Sequence, residues 1–63
     1  MYEKYLELLA NNNETTYQVA KATGIPQSAF SQWKHGRKLG FDKLVKIARH
    51  FDVPVDFFVA DMI

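Results

Sequence analysis

The residues with the widest chemical repertoire in this chain are His35, His50 and the serines and glutamines between Gln27 and Gln32. A nucleophilic triad needs a serine, a histidine to take its proton and a carboxylate to orient the imidazole. Ser28 and Ser31 lie near His35, but no aspartate is placed to orient it. Catalysis is therefore not expected, nor is a small-molecule substrate or a cofactor. A metal is no better supported, because His35 and His50 are far apart and the chain has no cysteine. The remaining chemistry is recognition. On a helix turning about 100° per residue, Lys34, Gln27, Ser31, His35, Ser28 and Gln32 share one broad outward arc. Ala29, Phe30 and Trp33 share a narrow apolar one. An ordinary solvated helix face mixes in glutamates for pairing four residues apart, and this face has neither Asp nor Glu. An acid-free surface of amides and hydroxyls suits the major groove of DNA. There Gln pairs two ways with adenine, and Ser donates or accepts.

The elements that must carry this face are small. The chain has 63 residues, of which 48% are apolar. A domain this size buries about 60% of the surface its unfolded chain exposes. That leaves little room for a substrate pocket but is too apolar for a disordered tail. No apolar run approaches the roughly 18 residues of a membrane span, and no signal peptide is visible, so a soluble, cytoplasmic protein without a membrane partner is expected. The net charge of +1 hides a strong asymmetry. Residues 1–20 sum to −2, residues 21–50 to +6 and residues 51–63 to −3. A basic block between acidic ends suits a polyanion partner.

Periodicity predicts five short helices and no strand, an all-α fold around one core. The first covers about 2–11, with Tyr2, Leu6 and Leu9 as an apolar stripe and Tyr5 beside it. Asn11, Asn12 and Asn13 favour a turn, because their side chains compete for the backbone. The second covers about 16–23, with Thr15 and Gln18 as a capping box. Val19 and Ala20 face inward, and Gly24 ends the helix in a left-handed conformation. The third runs from Pro26, suited to the first helical position, to His35. A basic loop of Arg37, Lys38, Leu39 and Gly40 follows. The fourth covers about 41–51, with Phe41, Leu44, Ile47, Ala48 and Phe51 inward. Its Asp42, Arg49 and His50 are placed to match the helix dipole. The fifth covers about 54–59 with Val55 and Phe58 inward.

The second and third helices, joined by about three residues around Gly24, have the layout of a helix-turn-helix over about 16–35. Ala20 lets the two helices approach, and Ile25 and Phe30 fill the wedge between them. Trp33 is read as core in preference to a base-stacking ring. Tyr17 either bonds a phosphate or covers the first helix. In the Phe57-Phe58 pair one ring is core, and the other, if exposed, marks a partner surface.

With these residues in hand, the chain resembles the lambda-repressor-like (Cro/Xre-type) DNA-binding domains. The resemblance runs through the stretch from Thr16 to Arg37, through Leu44-Val45-Lys46-Ile47-Ala48 and through Val53-Pro54-Val55-Asp56-Phe57-Phe58. It implies one five-helix domain over residues 1–63, with a recognition helix over about 26–35 entering the major groove. It implies base-reading roles for Gln27, Ser28 and Gln32, with Ser31 facing the same way toward a base or a phosphate. It implies backbone contacts for Lys34, His35, Arg37 and Lys38, and Thr16 and Tyr17 complete that set. Two positions depart from the family pattern. Thr16 stands where the family often has a glutamine that contacts phosphate and braces the recognition glutamine. The loop Arg37-Lys38-Leu39-Gly40 lacks the proline common before the fourth helix.

The expected function is a sequence-specific transcriptional regulator, a repressor of bacterial or phage type, bound as a homodimer to a two-fold symmetric operator. Its half-sites would lie about one helical turn, roughly 34 Å, apart. Two alternatives keep the fold. One is an antitoxin, or the detached N-terminal domain of a longer regulator, which the uncapped Asp61-Met62-Ile63 ending allows. The other is a protein-interaction module without DNA, which the acid-free face disfavours. RNA is a lesser variant, since a helix fits the A-form major groove poorly.

Overall fold

The structure, a computed structural model, describes residues 1–59. Among these there are five helices and no strand: α1 (Tyr2–Asn12), α2 (Thr16–Thr23), α3 (Gln27–Lys34), α4 (Phe41–His50) and α5 (Asp56–Val59). The Asp61-Met62-Ile63 ending lies outside the described residues.

Local sequence explains how the helices start and stop. At α2 the Thr15 hydroxyl accepts from the Gln18 N–H at 3.3 Å, and the Thr15 N–H donates to Gln18 Oε1 at 2.9 Å. Both arms of the expected capping box are therefore present, which is worth about 1 kcal/mol to so short a helix. Each of the first four helices then ends through one residue at positive φ. These are Asn13 (53°), Gly24 (78°), Gly36 (96°) and Asp52 (58°). Around Gly36 the bonds have the Schellman pattern. Its N–H reaches the Trp33 carbonyl at 3.1 Å, and the Arg37 N–H reaches the Gln32 carbonyl at 2.9 Å. Asp52 and Val53 close α4 in the same way onto Arg49 and Ala48.

The core is built on rings. Tyr5 of α1 is fully buried. Its ring stacks on Phe30 at 5.4 Å between centroids and tilts against Trp33 at 5.3 Å, both on α3. Phe51 and Phe58 meet this cluster edge-on or tilted at 6.4 Å. Val19, Ala20 and Ile25 fill the space between α2 and α3, and Leu44, Ile47 and Ala48 bring in α4. Burying a side chain of this size contributes about 1.5–3 kcal/mol. The expected inward Val19 and Ala20 of α2, Phe30 and Trp33 of α3 and Phe58 of α5 are thus buried, with Ala29 at the edge; α5 begins at Asp56 and not near Pro54, which leaves Val55 half-buried before it.

The structure departs from expectation at the following places. The turn after α1 contracts to Asn13, because Asn11 and Asn12 stay helical and the Asn12 amide donates to the Leu8 carbonyl at 2.8 Å. The buried stripe of α1 runs through Tyr5 and Leu8, with Tyr2 and Leu9 half-buried and Leu6 45% exposed. The helix is rolled so that Tyr5 meets the rings of α3, and the roll turns Leu6 outward. Pro26 is the N-cap of α3 and not its first turn, since its ψ is 144°. Phe41 is 69% exposed. Ala22 and Thr23 of α2 share a cleft with Lys46, Arg49 and His50, so α2 crosses the C-terminal half of α4. Phe41, at the other end of α4, extends past that crossing. Phe57 is half-buried against the core, with the Lys4 ammonium 5.6 Å from its ring centre.

Candidate nucleic-acid interface

The α2–α3 junction sets the attitude of α3. Gly24 accepts positive φ, and its N–H closes α2 onto the Ala20 carbonyl at 2.9 Å. Ile25 follows as a buried plug with 4% exposure. Ala20 and Phe30 are both buried at this junction, one on each helix. The turn is therefore pinned by a backbone bond and by apolar contact, and α3 is held by its inner face.

With that face buried, the remainder of α3 is presented outward. Gln27, Ser28, Ser31, Gln32 and Lys34 are all exposed, as is His35 just beyond the helix. None of their side chains hydrogen-bonds another described residue. An amide or hydroxyl without an internal partner is bonded to water, and it exchanges that water for a ligand at modest cost. Arg37 and Lys38 continue the exposed surface past the cap at Gly36, and neither forms an ion pair with a described residue. The expected base-facing and phosphate-facing residues of α3 and its loop therefore form one continuous exposed stretch.

Thr16 and Tyr17 begin α2. Tyr17 is 59% exposed and its hydroxyl bonds no described residue, which argues against its serving as a cover for α1. Thr16 is half-buried, and its Oγ1 accepts the Tyr5 hydroxyl at 2.9 Å. Thr16 also shares a cleft of about 280 Å³ with Tyr2, Gln27, Phe30, Ser31 and Lys34. The start of α2 and the outer face of α3 thus converge on one concavity. A second cleft of about 300 Å³ joins Lys34, Arg37 and Lys38 to Met1, Tyr2, Glu3, Trp33 and Gly36. Its one carboxylate, Glu3, takes the terminal ammonium at 3.4 Å. A backbone hydrogen bond first, and the ammonium second, hold that carboxyl below the usual glutamate range.

An eight-residue α2 capped by Thr15, a turn at Gly24, and an α3 whose outer face is acid-free and unbonded make a helix-turn-helix surface. Comparison with known families decides whose surface it is. Residues 6–56 match the model of the Cro/C1-type helix-turn-helix DNA-binding domain. The chain belongs to that family. Comparison of the chain with the curated proteins and with the solved structures found no match. The Cro/C1-type domain is a DNA-binding fold of regulatory type and not a catalytic one. No described helix is long and apolar enough to cross a membrane.

Three features of this Cro/C1-type domain were not anticipated from its sequence. Tyr2 lines both clefts, although its spacing marked it only as part of a core stripe. The Tyr5–Thr16 bond joins a core ring to the start of α2. His50 ends α4 as expected and also lies 2.8 Å from Glu14 Oε1, tying α4 to the α1–α2 connection. The last two are contacts between residues distant in sequence, which local spacing does not signal.

Proposed function

We propose that this Cro/C1-type domain is a sequence-specific transcriptional regulator with α3 as its recognition helix, acting as a repressor of bacterial or phage type. The observation that carries the reading is the outer face of α3: five polar side chains, with His35 just beyond them, no acid and no side-chain hydrogen bond to another described residue. In this reading residues 1–63 act as one DNA-binding domain. Gln27, Ser28, Ser31 and Gln32 meet base edges, where a bidentate glutamine–adenine pair discriminates by about 1–3 kcal/mol. Thr16, Tyr17, Lys34, His35, Arg37 and Lys38 meet the sugar-phosphate backbone, fixing register and supplying salt-dependent affinity.

One domain of this size covers a single half-site, and tight binding needs more contact than that. The protein therefore binds as a homodimer, with two copies of α3 in successive major grooves about 34 Å apart. Selection from a random duplex library, with the mass of the complex measured alongside, tests both parts. The expected result is a palindromic consensus with half-sites about ten base pairs apart, bound by two protein chains. Recovery of unrelated sequences at every round would defeat the specific-reading proposal, and one chain per duplex would defeat the dimer.

A further inference from the structure

We infer that Tyr5, a core residue, is a positioning residue for DNA binding: it orients the Thr16 hydroxyl toward the phosphate backbone. The inference rests on the proposed contact between Thr16 and DNA and adds to it the group that aims the contact. Tyr5 is fully buried among Phe30, Trp33 and Phe51. Its hydroxyl has one partner among the described residues, Thr16 Oγ1 at 2.9 Å. Two hydroxyls in contact can each donate, but their surroundings differ. A buried phenol must place its proton on the one acceptor within reach, because an unmade bond there carries the full desolvation cost. Burial also raises the phenol above the ordinary tyrosine range, so it keeps that proton in any neutral buffer.

Thr16 is only half-buried and opens onto the cleft with Gln27, Ser31 and Lys34. With one lone pair taken by Tyr5, its own proton is directed away from the ring and into that cleft. Thr16 is then a donor aimed at an anionic oxygen, beside the Lys34 ammonium that neutralises it. Chains of this kind strengthen each bond in turn and remove the rotamer freedom that a lone surface threonine loses on binding. The core thus preorganises a backbone contact at a position that has only a short side chain to make it.

The test is a double-mutant cycle on the full chain, with duplex affinity measured across a range of salt concentrations. Tyr5→Phe keeps the ring and removes only the hydroxyl, and Thr16→Val removes its acceptor. Tyr5→Phe should weaken binding about threefold and leave the helical circular dichroism unchanged. On the Thr16→Val background it should weaken binding no further. Thr16→Ser, which keeps the hydroxyl, should bind as wild type. Equal losses from Tyr5→Phe on both backgrounds would make its effect a general structural one and overturn the proposal. So would wild-type affinity in Tyr5→Phe or in Thr16→Val. If Tyr5→Phe fails to fold, equal affinities of Thr16→Ser and Thr16→Val still overturn the proposal, because no Thr16 hydroxyl contact is then left for Tyr5 to aim. Wild-type protein that binds no duplex at low salt instead defeats the DNA reading on which the proposal stands.

Discussion

The two faces of α3 share eight residues and one backbone, yet they are built on opposite terms. The inner face, Phe30 and Trp33, is 2% and 5% exposed and lies in ring contact with α1 and α5. The outer face, Gln27, Ser28, Ser31, Gln32 and Lys34, touches no described side chain through a hydrogen bond. The difference separates two tasks. Every interaction that fixes where α3 lies is on one side, so the other side is free to be chosen for a partner. Substitutions should separate in the same way, inner ones moving stability and outer ones moving DNA binding.

Trp33→Ala should have the largest effect. Truncating a buried aromatic costs about 3–5 kcal/mol, while small domains hold only about 5–15 kcal/mol in total at best. The variant should melt at far lower temperature or lack a cooperative transition, as read by circular dichroism. A melting temperature near that of wild type would show that Trp33 is not part of the scaffold and would break the inner half of the comparison.

Gln27→Ala comes next and should reverse the pattern. Stability should stay within about 0.5 kcal/mol, as for exposed positions generally. Affinity for the selected operator should fall by about 1–3 kcal/mol, and preference should relax at one base pair per half-site. Arg37→Ala provides the contrast, weakening all duplexes alike and lowering the salt slope by about one. A uniform loss across sequences from Gln27→Ala would move that residue from base reading to backbone contact.

Gly36→Ala probes the point where both faces end. A Cβ at this position meets nothing within 4 Å, so the cost is conformational only. A side-chain residue held at φ 96° is strained by about 1–3 kcal/mol, offset by about 0.4–1 kcal/mol of lost unfolded-state entropy. The net loss should be about 1 kcal/mol in denaturant unfolding. Because Gly36 also launches the Arg37-Lys38 loop, non-specific affinity should fall together with stability. A loss of stability alone would show that the loop holds its course independently of the cap.

These contrasts also mark how far the molecule was legible in its sequence. The capping box at Thr15, the turn at Gly24 and the outward arc of α3 depend on residues within a turn or two of each other, and local spacing reveals them. Phe41 and Leu6 carry equally good helical spacing but are exposed. Burial at those positions depends on where another helix crosses, and no local pattern contains that. The Tyr5–Thr16 bond spans 11 residues and the His50–Glu14 contact spans 36. Both exist only once α1, α2 and α4 have docked. The family resemblance supplied the overall arrangement in advance. It also marked Thr16 as a departure without indicating what its hydroxyl would bond.

The smallest expected effect belongs to Tyr17, which tests whether the outer surface extends from α3 onto α2. Its ring is 59% exposed and its hydroxyl is unbonded among the described residues. Tyr17→Phe removes one polar atom and leaves the ring where it is. If the ring served to cover α1, the loss of an exposed hydroxyl would change neither folding nor binding. If the hydroxyl donates to a phosphate, stability again stays constant, but affinity falls by about 0.5–1.5 kcal/mol on every duplex. The second outcome is expected, for a physical reason. A tyrosine in the first turn of α2 shares that turn with Thr16, whose cleft already joins it to Gln27, Ser31 and Lys34. Tyr17 does not itself line that cleft, so a contact from its hydroxyl widens the surface beyond it. Unchanged affinity in Tyr17→Phe would confine the DNA-facing surface of α2 to Thr16 and sharpen the boundary between the two faces.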